Sequence, residues 1–202
     1  KESTQIGKFE LRRLNKTNRV PMFDKVIAIY CLVDDLLKGI GHIDDKRREV
    51  ADSEIITTAL VSAMYFGGHH CHAVSFMRGS GMCPKMLGNS RFNRRLHAVA
   101  ELAYGLFMQV GYMVKEIGCE MQYVLDSFPV QVCDNIRISR SRIVRGGQWR
   151  GHQASMRRYF YGIKVQLLVT KSGVPVEFCF VPGREADVKA LEQMYLSVPP
   201  ES

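Results

Sequence analysis

The chain has 202 residues, of which 46% are hydrophobic and 24% charged, a balance typical of a globular protein with one or two domains. Its net charge of +8 favours a polyanionic partner, nucleic acid before an acidic membrane. The longest apolar run, Val26 to Val33, is shorter than the roughly 20 residues that cross a bilayer, so no membrane partner is expected.

The amino-terminal part of the sequence shows helical patterns. Residues 1–20 are polar and basic, and they predict a loose arm or a frayed helix. The segment from Met22 to Leu37 is apolar nearly all round, which predicts a buried helix. A charged connection, Ile40 to Arg48, follows it.

A second helix is expected to begin with Asp52 or Ser53 as its cap and to stop at Gly67-Gly68. Its apolar residues fall on one face and its threonines on the other, so the apolar face is predicted to be buried. A shorter helix runs through Phe76 and Met77.

An apolar stripe from Leu96 to Ile117 then predicts one long helix. Residues 1–118 therefore predict an all-helical region, with DNA binding as one role for it. Within this region the basic segment Asn93 to His97 could touch DNA, although a solvated helix start explains it equally well.

The cysteines and histidines do not form a convincing metal site. No pair of cysteines has Cys-x-x-Cys spacing, so a zinc ribbon is not expected. Reduced, mostly buried thiols in a cytoplasmic protein are the better interpretation. The run His69-His70-Cys71-His72 places its ligands side by side, whereas zinc ligands are usually two to five residues apart. A helix start or loop is favoured there over a structural zinc.

The pattern changes to strands after Gly118. Met121 to Leu125 is a candidate strand, and alternation from Ile163 to Thr170 and from Val174 to Val181 predicts a β-hairpin. A helical pattern resumes from Asp187 to Leu196. The order of helices, strand, hairpin and helix predicts an α+β or α/β fold.

Asp126 stands where the first apolar run stops. A buried strand has little reason to end in an acid, unless the acid lies at the rim of the sheet and holds a metal ion. A strand-end cap or an ion pair would be the structural alternatives. With a basic stretch downstream, the pattern suggests a metal-dependent enzyme that cuts nucleic acid.

The segment from Ser127 to Lys164, here called the basic insert, has Asp134 as its one acidic residue. Asp134 is expected to pair with an arginine. Guanidinium groups suit phosphate because each can bind two oxygens, so the insert is a candidate DNA-binding surface, with a solvated loop as the alternative. Its glycines indicate flexibility, and its aromatic run Tyr159 to Tyr161 fits strand core better than base stacking. The cations are Arg137, Arg140, Arg142, Arg145, Arg150, Arg157, Arg158 and Lys164.

Several motifs in this order resemble bacterial insertion-sequence transposases of the DDE class. The resemblance runs from about Met22 to Pro199, and it rests on the order of the motifs rather than on any single one. The motifs are Ser90 to His97, Tyr123 to Cys133, Asn135 to Arg137, Tyr159 to Lys164, Val181 to Gly183 and Asp187 to Leu191.

The resemblance implies a ribonuclease H-like catalytic domain, here residues 119–202, behind the helical region. Such enzymes hold two divalent ions, Mg²⁺ or Mn²⁺, with three carboxylates, and Asp126 matches the first of them. It also implies DNA partners, namely the element ends and the target, and a dimer or synaptic assembly.

The sequence departs from the family pattern because the expected second aspartate and the glutamate do not appear before Ser202. The chain is therefore expected to be an inactive, carboxy-terminally truncated form. Asp187 could substitute as a ligand, but capping the last helix is its favoured role. The alternatives are a non-catalytic DNA-binding regulatory product and another metal-dependent nuclease of the same fold.

Overall fold

The computed structural model describes residues 21–118, 122–153, 156–191 and 194. The predicted basic arm, residues 1–20, lies outside the described residues. The chain divides into two compact units, Lys1–Leu106 and Phe107–Ser202. The division falls inside a helix, whereas the sequence placed the boundary after Gly118.

Helices make up the regular structure of the described part of the first unit, as predicted. Val99, which is 3% exposed, separates the last two, so the prediction of one continuous helix from Leu96 to Ile117 was wrong. Val99 takes φ −99° and ψ 9°, away from helical values, and its side chain belongs to the core of the first unit. The helices are α1 (Met22–Gly39), α2 (Asp52–Tyr65), α3 (His70–Gly79), α4 (Asn89–Ala98) and α5 (Ala100–Gly118), which continues into the second unit.

Helix α1 is less buried than its apolar sequence predicted. It buries Val26, Val33 and Leu37, whereas Ile27 and Leu32 are each more than half exposed. A single buried stripe is sufficient to attach the helix to the core, so the prediction of a helix buried all round was wrong.

Helix α2 buries only part of the predicted apolar face, Ile55 and Ile56, together with polar residues of the other face. Thr57, Thr58 and Ser62 are fully buried, while Leu60 and Met64 are exposed. The Thr58 hydroxyl donates to the Glu54 carbonyl at 2.7 Å, which lets a polar side chain lie in the interior.

The start of α2 also differs from the prediction. Its cap is Ala51 rather than Asp52 or Ser53, and the Ala51 N–H donates to the Glu54 carboxylate at 2.7 Å. Asp52 is instead the first residue of the helix.

The second unit contains a four-stranded antiparallel sheet, so the described fold is α+β. The long strand β3 pairs with each of the other three. Strands β3 and β4 form the predicted hairpin, and Gly173 takes a positive φ of 87° in its turn. The strands are β1 (Tyr123–Gln131), β2 (Arg150–Gln153), β3 (Arg158–Thr170) and β4 (Pro175–Pro182).

From Phe107 onward, α5 packs against β4. Phe107 meets Phe178 edge-on, with ring centroids 4.9 Å apart. Lys115 and Glu177 form a buried ion pair of 3.0 Å in the same layer. These contacts hold the helix on the sheet within the second unit.

A short helix, α6 (Asp187–Leu191), follows the sheet. It was predicted to reach Leu196, but most of its predicted second half lies outside the described residues. In the described part of the chain, no helix is both long enough and apolar enough to cross a membrane.

The cysteines are less buried than predicted. Cys31 and Cys71 are exposed free thiols, while Cys83 is buried and donates to the Glu54 carboxylate at 3.2 Å. Burial, followed by the Glu54 carboxylate, raises the pKa of Cys83 to about 12. Cys83 therefore behaves as a core side chain with an inert thiol.

Candidate nucleic-acid interface

A basic groove of about 930 Å³ opens beside β2 and β3 in the second unit. Its walls combine backbone of the basic insert with the beginning of β3 and the residues after β4. The cationic side chains on its wall are Arg145, Arg150, Lys164 and Arg184, joined by His152 and Tyr159. Apart from Lys164, they are exposed to solvent, so the groove can receive an anionic chain.

The insert around the groove is held by hydrogen bonds, so it is more than a solvated loop. The Tyr161 hydroxyl donates to the carbonyls of Val144 and Gly146 at 3.4 and 3.2 Å. The Trp149 indole donates to the Arg145 carbonyl at 3.0 Å. The Tyr161 bonds attach the insert to β3, and the Trp149 bond closes a turn within the insert.

Gly151 has a packing role rather than the flexibility expected of it. A Cβ at Gly151 would lie 2.3 Å from the Gly183 carbonyl oxygen and 2.4 Å from the Phe160 ring. The two chain segments approach this closely only because residue 151 has no side chain. This approach brings Arg150 and Arg184 to the same groove.

The aromatic run of the insert belongs mainly to the strand, as predicted. Phe160 and Tyr161 are buried on β3, whereas Tyr159 is 75% exposed and lies against His152, with ring centroids 4.7 Å apart. Tyr159 is therefore the member of the run with a surface open to a ligand.

A smaller arginine-lined depression of about 490 Å³ adjoins Ser141, which also lines the main groove. It contains Arg137, Arg140 and Arg142 from the insert. Arg157 and Arg158 are exposed but line neither cavity. The structure thus brings five of the seven predicted arginines to two adjoining concave surfaces.

Lys164 differs from the other predicted DNA-binding residues. Its ammonium donates to the Asp187 carboxylate and to the Glu185 carbonyl, both at 2.9 Å, and its side chain is 15% exposed. Lys164 therefore has protein partners for its charge, although it lines the groove.

Asp187 begins α6, as predicted, but the hydrogen bonds described for its carboxylate go to strand residues. Oδ1 accepts from Lys164 at 2.9 Å and from Gln166 at 2.7 Å. Burial alone would raise the pKa of Asp187, but the Lys164 and Gln166 hydrogen bonds and the Lys164 charge hold it below its usual value. Asp187 thus ties the segment after β4 to β3.

Asp126 lies inside β1 and not at its end, so the predicted strand boundary was wrong. The strand continues to Gln131 through Pro129, which is tolerated because, in the described sheet, β1 pairs on one side only, with β3. Asp126 is exposed, and its Oδ1 accepts from the Ser127 N–H at 2.7 Å.

The two faces of β1 separate Asp126 from Asp187. Residues alternate between faces along a strand, and Ser127 pairs with Gln166, the residue that binds Asp187. Asp126 therefore points to the opposite face of the sheet from Gln166 and its partner Asp187.

Asp134 does not pair with an arginine as expected. No arginine of the described residues lies within ion-pair distance of its carboxylate, while its backbone carbonyl accepts from the Arg137 N–H at 2.8 Å. The His69 to His72 run forms the start of α3, as favoured over a zinc site.

Arg184 and His152 are groove residues that the sequence analysis missed. Arg184 follows the hairpin, outside the basic insert, and its N–H donates to the Gln148 carbonyl at 3.0 Å. The basic residue directly after Pro182-Gly183 was the available signal. Only the pairing of both β4 and β2 with β3 reveals that this position returns to the insert.

Comparison with known families matches one part of the chain. Residues 116–199 match the family described as the transposase DDE domain. The matched segment contains fewer than half of the residues of the chain. No curated protein and no solved structure matches the chain. The matched residues lie within the second unit, where they include Asp126, the basic insert and the hairpin. The comparison therefore supports a DDE-class transposase domain over residues 116–199.

Proposed function

We propose that the protein acts in DNA transposition, as an insertion-sequence transposase whose complete form cleaves phosphodiester bonds and transfers strands. A transposase DDE domain implies DNA binding, and the same residues build the basic groove. That coincidence carries the proposal: the domain matched to DNA transposition presents an arginine-lined groove on its own surface. A ribonuclease H-like fold and a dimeric or synaptic assembly are parts of the same proposal.

The groove suits a DNA backbone in its shape and its charge. Arg145, Arg150 and Arg184 are exposed on its wall, and no carboxylate of the described residues forms an ion pair with them. Each guanidinium can bind two phosphate oxygens, and release of counterions from DNA would favour the complex.

A DDE domain also implies dependence on a divalent metal ion, and Asp126 is the residue we propose as a ligand. Its exposed carboxylate supplies the hard oxygen that Mg²⁺ or Mn²⁺ prefers. Among the described residues, the one group of three metal-capable side chains is His42, Asp44 and Asp52, which does not include Asp126. The described residues therefore supply one ligand and do not complete a two-ion centre.

A non-catalytic DNA-binding product is the second candidate function. The observation that favours it is that no described group of three metal-capable side chains includes Asp126, whereas the same domain has a basic groove. On this ground the 202-residue chain is expected to bind DNA in the presence of Mg²⁺ without cutting it. A cytoplasmic location stays a prediction.

The first prediction concerns Asp126 in the complete coding frame of the protein, tested on a plasmid that carries this frame with its flanking DNA. Asp126→Asn removes the ligand charge but preserves side-chain volume, so cleavage and joining should fall at least about 100-fold with DNA binding unchanged. Asp134→Asn is the matched control, because Asp134 is an exposed acid outside β1.

Gel analysis of cut and joined products separates the candidates. Cleavage by the Asp126→Asn protein at the parental rate would overturn the ligand assignment. Cut DNA without joined products from the parental protein would indicate a plain nuclease. Turnover by the isolated 202-residue chain would show that it contains a complete catalytic centre.

A further inference from the structure

A second arginine-lined pocket lies in the first unit, far in sequence from the basic insert. It encloses about 500 Å³ between the α1–α2 connection and α4. Glu49 is the one acidic residue on its described wall. The five arginines of this helical-unit pocket are Arg47, Arg48, Arg91, Arg94 and Arg95.

Helix α4 presents three of these arginines in an arrangement that is unfavourable for a helix alone. Arg94 and Arg95 lie three and four residues after Arg91, so both are its neighbours on the helix surface, where like charges repel. Phe92, which is fully buried, fixes the rotation of the helix. No acid stands in the first turn, where Arg91 opposes the helix dipole. Local rules are most often broken in this way at functional sites.

Asp52 forms ion pairs with two of the arginines, Arg48 and Arg95. Its buried carboxylate accepts from Arg48 at 3.1 and 3.3 Å and from Arg95. His42 and Asp44 also approach Asp52, so the three side chains resemble a cation site. Two guanidinium groups already neutralise Asp52, and their charges disfavour a metal ion there. The pocket is suited to an anion instead.

The arginines at the mouth of the pocket keep their charges available. Arg91 and Arg94 are exposed, and no carboxylate of the described part of the chain lies within ion-pair distance of either. Arg94 donates only a long hydrogen bond, 3.4 Å, to the Ser90 carbonyl. Arg47 is 94% exposed and lies 3.8 Å from Asp45.

We propose that the helical-unit pocket binds backbone phosphates of DNA through Arg91 and Arg94, as a contact separate from the groove of the DDE domain. Planar guanidinium forks in a concave pocket match the paired oxygens of a phosphodiester. The choice of DNA as the polyanion that binds this pocket rests on the proposed function. The availability of the two arginines rests on the first unit alone.

The test measures binding of the 202-residue chain to labelled duplex DNA of random sequence, by fluorescence anisotropy at several salt concentrations. Arg91→Gln/Arg94→Gln should weaken binding about tenfold and reduce the salt slope by roughly two, one for each lost phosphate contact. Lys25→Gln/Lys85→Gln removes the same charge from exposed positions outside the pocket, and it should leave the slope unchanged. Equal effects of the two double variants would overturn the proposal, because net charge alone would then explain them.

A third variant, Arg145→Gln/Arg150→Gln, separates the two surfaces. If this variant abolishes binding and Arg91→Gln/Arg94→Gln has no effect, the pocket proposal fails and the groove of the DDE domain stands. If the effects are reversed, the pocket stands and the groove assignment fails. Loss of binding to anionic vesicles in the Arg91→Gln/Arg94→Gln variant, with DNA binding intact, would overturn the proposal in favour of a membrane contact.

Discussion

Asp52 shows how a single buried charge can organise a surface. Its side chain is 3% exposed, and Arg48, Arg95 and His42 surround its carboxylate. Asp52→Asn should lower the free energy of unfolding of the first unit by roughly 2–3 kcal/mol, because the partly buried Arg95 would lose its charged partner. Urea unfolding followed by far-ultraviolet circular dichroism measures the loss.

The effect should depend on pH in a definite direction. Burial would raise the pKa of Asp52, but hydrogen bonds and charge from Arg95, helped by His42 and Asp44, hold it below the ordinary 3.8. A lowered pKa stabilises the folded state above the ordinary value, and this stabilisation is lost as the pH falls through the folded value. The deficit of Asp52→Asn should therefore be full near pH 7 and should shrink at strongly acidic pH.

The neighbouring acid Asp45 provides the control for Asp52. Its side chain is 47% exposed, and its one described ion-pair partner, Arg47, lies 3.8 Å away. Asp45→Asn should change stability by less than about 0.5 kcal/mol. A cost of Asp52→Asn no larger than this would mean that the ion pairs of Asp52 contribute little.

At the scale of elements, the contact between α5 and β4 depends on the absence of a side chain at Gly111. A Cβ there would lie 1.9 Å from the Val176 carbonyl oxygen, which belongs to backbone and cannot easily move. Gly111→Ala should therefore destabilise the second unit by about 1–3 kcal/mol, although alanine favours helices. Thermal unfolding measures the change.

Gly105 in the same helix is the matched control for Gly111. A Cβ at Gly105 would meet nothing within 4 Å, so Gly105→Ala should be neutral or stabilising by up to about 1 kcal/mol. Opposite signs for the two variants would confirm that the Val176 contact decides the effect. Equal stabilisation would refute close packing of α5 on β4.

At the scale of the whole molecule, the net charge of +8 becomes informative through its distribution. Arginines that are exposed and have no ion-pair partner among the described residues line a concave surface in each unit, Arg145, Arg150 and Arg184 in one and Arg91 and Arg94 in the other. Concentrated positive charge of this kind attracts polyanions over a distance and releases their counterions on binding.

Binding of the chain to duplex DNA should therefore be strongly dependent on salt, with a slope of log binding constant against log salt of about −5 or steeper. Trp149 is the only tryptophan of the sequence and lies next to Arg145, so its fluorescence should change in parallel. Binding without salt dependence would contradict an electrostatic interface. Strong binding with unchanged Trp149 fluorescence would place the DNA away from the basic insert.

Particular elements show how far the sequence could be interpreted. Alternation in β3 and β4 predicted the hairpin because each face of a strand has its own environment. The same reasoning was only partly right for α2, which buries Ile55 and Ile56 as predicted but also carries Thr57, Thr58 and Ser62 on its buried face. Both apolar and small polar residues lie on the surface of α2. The positions of the neighbouring helices therefore decide which of its side chains are buried.

The candidate site was also predicted only in part. Local chemistry identified Asp126 and the arginines of the insert, since those residue types already indicate metal and phosphate binding. It did not identify Arg184, because the segment after β4 meets the insert only through the pairing of β4 and β2 with β3. It also left Lys164 among the available cations, whereas Asp187 neutralises it.

The sequence by itself determined the positive charge, the helical and β-strand regions, and the order of motifs that indicates a DDE transposase domain. These properties depend on composition and on periodicity along the chain. The tertiary structure decided that Asp126 and Asp187 lie on opposite faces of the sheet, and that the arginines converge on separate pockets in the two units. Strand register and side-chain packing decide these positions, because inter-strand hydrogen bonds and hydrophobic contacts join residues that are far apart in the sequence.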